Sequence, residues 1–121
     1  MSAIDLTTMP NPDLVREFEE IALQMSYAEL RDDDKRYNEL FELQVLVVDE
    51  LKSRGARHLL LPLLDHKKRV VRLHAAKRTL AISPAKAREA LIALRRLGLM
   101  PEAAEASFSL RKLDDGSYVP N

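Results

Sequence analysis

The sequence predicts an all-α protein, and three observations carry that expectation. Apolar residues recur at three- and four-residue steps through most of the chain, and no segment sustains the two-residue alternation of a strand. Only three glycines and six prolines punctuate the 121 residues, fewer turn-formers than a fold of many short strands requires. Aromatic residues make up 5% of the chain, so the side chains that favour strands are also scarce.

Composition bounds the class. With 46% apolar and 31% charged residues, the chain reads as a soluble globular protein large enough for a modest core without metals or disulfides. No cysteine is present, which excludes thiolate chemistry and fits a reducing compartment. The opening MSAIDLTTMP has no basic stretch followed by a long apolar one, so it is not read as a signal peptide. The longest apolar run, Leu59–Leu64, is far too short to span a bilayer. A cytoplasmic protein with no membrane partner is expected.

The elements follow in order. Residues 1–10 are expected to form a flexible arm, 11–116 a single domain, and 117–121 a tail. Asn11 as N-cap with Pro12 behind it opens the first helix, whose inner face is Leu14, Phe18, Ile21, Met25 and Ala28. The acids at 32–34 cap a second helix that Gly55 closes, with a wide apolar arc from Tyr37 through Phe41 to Leu51. A third, leucine-rich helix over Arg57–Asp65 is expected to kink at Pro62. A fourth runs over about 68–82. Ser83 and Pro84 open a fifth that Gly98 ends, and a sixth follows Pro101 and stops near Gly116.

Six helices with short breaks group as three antiparallel pairs, and stacked pairs bury a core that no single pair buries alone. The segment LLDHKKRVVRLHAAKRTL resembles a HEAT-type repeat. It has Leu63-Leu64, a turn acid at Asp65, then Val71-Arg72, Ala75-Ala76 and Leu80, the last one position late. From Tyr37-Asn38 through AISPAKAREAL to LRKLDDG the chain is also similar to a small bacterial HEAT-like family catalogued as a domain of unknown function. That resemblance implies an α-solenoid of about three HEAT-like helix pairs and lends no activity.

A wheel of the fourth helix, at about 100° per residue, separates its charges. Leu73, Ala76 and Leu80 form one stripe and Val71, Ala75 and Ile82 another, with Arg72 and Thr79 between them in the buried arc. An arginine there needs a carboxylate or carbonyl partner, and Asp65 in the preceding turn is the expected one. HEAT-like repeats use a similar internal brace. The opposite arc carries Lys67, Val70, His74, Lys77 and Arg78, a basic ridge facing solvent. On the second helix Glu42 and Asp49 belong to an acidic outer arc, while Gln44 lies inside the apolar one.

The net charge of zero conceals a segregation that these ridges express. Residues 1–50 hold 13 acids against 4 bases, residues 51–98 hold 13 bases against 2 acids, and residues 99–121 hold 4 acids against 2 bases. Two readings of the ridges stand: solvated faces that partly screen each other, or a recognition surface for a protein of complementary charge.

Motifs of catalysis are missing. His58, His66 and His74 are eight residues apart, unlike metal-ligand pairs. The 32–34 acids lack the glycine and distal glutamate of a calcium loop. There is neither a phosphate-binding glycine loop nor a nucleophile elbow. The basic segment 51–98 suits phosphate contacts but contains no Phe, Tyr or Trp on which bases could stack. The expectation is a non-enzymatic protein-interaction module without cofactor, monomeric or a weak homodimer. Its partner surface comprises Glu42, Asp49, Lys67, Val70, His74, Lys77 and Arg78. Binding of nucleic acid through 51–98, or self-association as a homodimer with acidic helices of one copy against basic helices of another, is the alternative.

Overall fold

The structure, a computed structural model, describes residues 5–121. It is all-helical, and no β-strand occurs among the described residues. Among the described residues there are five α-helices: α1 (Asn11–Leu30), α2 (Asp34–Ser53), α3 (Arg69–Thr79), α4 (Pro84–Leu97) and α5 (Glu102–Asp114). Two 3-10 segments join them, an N-terminal turn (Leu6–Thr8) and a middle segment (Arg57–Asp65). No helix among the described residues is long and apolar enough to cross a membrane. The chain divides into two compact units, one running through Leu59 and one covering Leu60–Asn121.

The first unit is the α1–α2 hairpin with the N-terminal turn. The inner face expected for α1 is buried residue for residue, at Leu14, Phe18, Ile21, Met25 and Ala28, with Ala22 beside them. From α2 come Leu40, Val47, Val48 and Leu51, while Phe41, placed in the apolar arc by periodicity, is 46% exposed. Gln44 is buried on this seam and donates from Nε2 to the Met25 sulfur at 3.7 Å.

Helix ends in this unit follow local chemistry. Asp33 caps α2, its carboxylate accepting from the Arg36 amide at 3.1 Å. After α2, Gly55 takes a positive φ of 65°, the Gly55 amide donates to the Lys52 carbonyl and the Ala56 amide to that of Leu51. That is a Schellman stop. The same pair of bonds ends α1, from Asp32 to Glu29 and from Asp33 to Ala28, but there Asp32 holds the positive φ, 53°.

The N-terminal arm departs from expectation. Residues 1–4 lie outside the described residues, but residues 5–10 are not a free arm. Asp5 caps the Leu6–Thr8 turn through the Thr7 amide, and Arg54 grips the turn from the end of α2. Asn11 does not cap α1 either. The cap position belongs to Pro10, whose carbonyl accepts from Asp13 and Leu14, and the Asn11 side chain turns to Arg54 instead.

The second unit packs α3, α4 and α5 around Leu73, Ala76, Leu80, Ala87, Leu91, Leu94, Ala106 and Leu110, with Leu64 against them. Alanines at 75 and 76 are fully buried and let neighbouring helices approach α3 closely. The middle segment is 3-10 throughout, not a kinked α-helix. Pro62 has no amide hydrogen to donate and its ring clashes with the carbonyl four residues back, so an α-helix is blocked there. The fourth helix also ends earlier than expected, at Thr79, whose hydroxyl donates back to the Ala75 carbonyl at 2.8 Å. Ser83 precedes a proline and lies outside the helical region, with φ −148° and ψ 69°, which closes off further helix.

Candidate functional site

The residues expected to form one ridge on α3 have different fates. Lys67 is exposed in the turn before the helix; Val70, Lys77 and Arg78 are half-buried. His74 is buried at 7% exposure, a correction to the open arc of the wheel. The wheel counted the neighbours of α3 on two flanks only. Lys77, from the supposedly open arc, meets Glu105 of α5 at 3.9 Å, so a neighbouring helix stands where solvent was expected. Burial lowers the His74 pKa from 6.5 to about 3, with Lys77 and Arg78 pushing the same way, so its imidazole is neutral at physiological pH.

The internal brace also takes another form. Arg72 is half-buried and donates from Nη1 to the His66 carbonyl at 2.9 Å, while Asp65 stays exposed at the end of the middle segment. The guanidinium satisfies a turn carbonyl, and the turn acid is not its partner. The turn is further fixed by the Lys68 amide, which donates to His66 Nδ1 at 3.0 Å.

A second set of ion pairs redistributes the charge of this unit. Arg69 Nε lies 3.0 Å from Glu102 Oε1, a carboxylate at the start of α5 that is only 6% exposed. Arg88 of α4 reaches Asp114 at 2.6 Å. Together with Lys77–Glu105, three cations of the basic segment are matched by acids of α5. Periodicity could not show this, because the partners lie 26 to 33 residues apart in the chain.

The cations left without an ion pair among the described residues include Lys67, Lys68, Arg95 and Arg96, all exposed. They share one end of the unit. There α3 and α5 begin and α4 ends, and Arg69–Glu102 ties the first two together. The turn from α4 to α5 brings Leu97, Leu99 and Met100 to the same end, at 52%, 46% and 68% exposure. None of the three belongs to the ridges that periodicity predicts. The run RRLGLMP was the available signal.

On the first unit, Glu42 and Asp49 are exposed on α2 as expected, with Leu46 between them at 56% exposure. A solvent-open groove of about 610 Å³ in the second unit is lined by Leu61, Pro62, Leu64, Ala90 and Ala93, together with Asp65, Lys86 and Glu89. No group of three His, Asp or Glu side chains that could hold a metal is found among the described residues.

The family model described as Domain of unknown function (DUF2019) matches residues 12–114. The chain is also similar to a solved structure, the crystal structure of the protein RPA1889 from Rhodopseudomonas palustris CGA009. The two are 39% identical with a TM-score of 0.92, over 98% of this chain and all of that one. No curated protein matches this chain.

Proposed function

The chain belongs to the DUF2019 family, and we propose that it is a non-enzymatic protein-docking module whose second unit presents a basic, partly apolar end to a protein partner. The observation that carries this reading is the partition of cations in that unit. Arg69, Lys77 and Arg88 are matched by carboxylates of α5, Arg69 at the very end where α3 and α5 begin. At that end Lys67, Lys68, Arg95 and Arg96 stand exposed and without an ion pair among the described residues, with exposed Leu97, Leu99 and Met100.

Apolar side chains ringed by charge suit a transient protein interface, in which the apolar centre supplies affinity and the charged rim steers the partner. The same end suits a nucleic acid less well, because none of those seven residues is aromatic and bases would find nothing to stack on. In this reading the middle segment with α3, and α4 with α5, are HEAT-like pairs in a cytoplasmic protein. Their support is the leucine-rich first member, the break and the alanine-bearing second member in each.

The test compares two charge reversals. Immobilised purified chain is used to capture proteins from the source lysate; Lys67→Glu with Arg95→Glu and Arg96→Glu should lose a specific one, whereas Lys86→Glu should keep it. In parallel, mixed-sequence duplex and single strand are titrated at physiological salt. Submicromolar binding to them, abolished by the triple reversal, would replace protein docking with phosphate binding.

A further inference from the structure

We propose that the acidic face of α2 in one copy docks onto the basic end of the second unit in another, so that the chain associates head to tail. This rests on the protein-docking reading and names one partner for it. The two surfaces have the same plan with opposite sign. On α2, Glu42, Leu46 and Asp49 follow at four- and three-residue steps on one helix face, an exposed leucine flanked by carboxylates without an ion pair among the described residues. On the basic end, Leu97, Leu99 and Met100 stand exposed among Lys67, Lys68, Arg95 and Arg96.

The wider charge agrees with the local pattern. Residues 1–59 hold 13 acids and 7 bases, while residues 60–121 hold 12 bases and 6 acids, so the units carry −6 and +6. That opposition selects the mode of contact. Basic end on basic end, or acidic face on acidic face, sets like charges against each other. Acidic face on basic end brings opposite charges together around an apolar centre. Such a contact uses different patches on the two copies, so it closes into a ring or extends into a chain.

Sedimentation velocity over a concentration series, at low and at physiological salt, tests the proposal. The expected result is a mass that grows with concentration and falls as salt rises, because the Debye length shrinks to about 8 Å near physiological ionic strength. Two variants are made, Arg95→Glu with Arg96→Glu, and Glu42→Lys with Asp49→Lys, with helix content checked by circular dichroism. Each alone should be monomeric. Mixed one to one they should associate again, since the acidified end of the first then meets the basic face of the second.

A parent chain that stays monomeric at every concentration overturns the proposal, as does a mixture that fails to associate. Self-association and the docking reading can fail separately. If the parent is monomeric and the end reversals still lose a lysate protein, docking stands and the second copy is rejected. If the monomeric parent sediments with anionic vesicles and loses no protein on reversal, the end belongs to lipid and both are rejected.

Discussion

Arg54 Nη1 donates to Asn11 Oδ1 at 2.9 Å and to the Met9 carbonyl at 2.6 Å, fastening the start of α1 to the end of α2. Its Nη2 reaches the Leu6 and Thr7 carbonyls, and its Nε is held by Glu50 at 2.8 Å. A planar guanidinium with five donors serves all of these at once, which an ammonium cannot.

Arg54→Ala should therefore cost about 1–3 kcal/mol, and Arg54→Lys should recover less than half of it. Urea unfolding measures both. Full recovery by lysine would mean that charge, not the forked geometry, holds the turn.

Asp32 stops α1 in the left-handed region that glycine occupies without strain, as Gly55 does after α2. Asp32→Gly should raise stability by about 0.5–1 kcal/mol, the relief of the side-chain clash less the added entropy of the unfolded chain. A lower melting temperature for this variant would show that the Asp32 side chain contributes more than its backbone strain removes.

His74 predicts an acid-sensitive fold. Its pKa falls from 6.5 to about 3 on folding because burial disfavours the charged ring and Lys77 and Arg78 repel a proton. Between those values the unfolded chain binds a proton that the folded chain does not, so stability is full above the unfolded pKa and declines as pH falls. The slope is about 1.4 kcal/mol per pH unit, or about 2 kcal/mol between pH 7 and pH 5. Urea titrations at those two pH values should show this loss in the parent, and His74→Gln should reduce it. An unchanged loss in the variant would assign the acid sensitivity elsewhere.

The brace separates two residues expected to act as a pair. Arg72→Ala removes the donor to the His66 carbonyl and should cost about 1–2 kcal/mol. Asp65→Ala removes an exposed acid and should fall within about 0.5 kcal/mol. Equal losses would restore the carboxylate as Arg72's partner.

In the second core, Leu91 and Ala76 are both fully buried. Leu91→Ala should cost about 2–5 kcal/mol through the cavity it leaves. Ala76→Leu should cost about 1–3 kcal/mol by forcing α3 from its neighbours. Melting of either variant with the parent would contradict the packing of this unit.

The sequence by itself determined what depends on near neighbours. Apolar spacing placed six of the seven helical segments among the described residues, all but the Leu6–Thr8 turn, and the inner face of α1, because residues three and four apart share a helix face whatever lies beyond. The caps at Asp33 and Gly55 were legible for the same reason, as bonds between residues within a turn of each other. Even the failure of the middle segment to be α-helical was half visible, in Pro62.

Tertiary structure decided which faces and charges remain free. Arg54 holds the N-terminal turn across more than forty residues, and Glu102, Glu105 and Asp114 reach back from α5 to Arg69, Lys77 and Arg88. A wheel drawn on one helix contains no neighbour, so it left His74 in solvent, kept Lys77 in an open ridge and missed Leu97, Leu99 and Met100. Periodicity fixes where a side chain points along its own helix axis. Whether water or another helix meets it depends on contacts distant in the chain, and those form only when the elements pack.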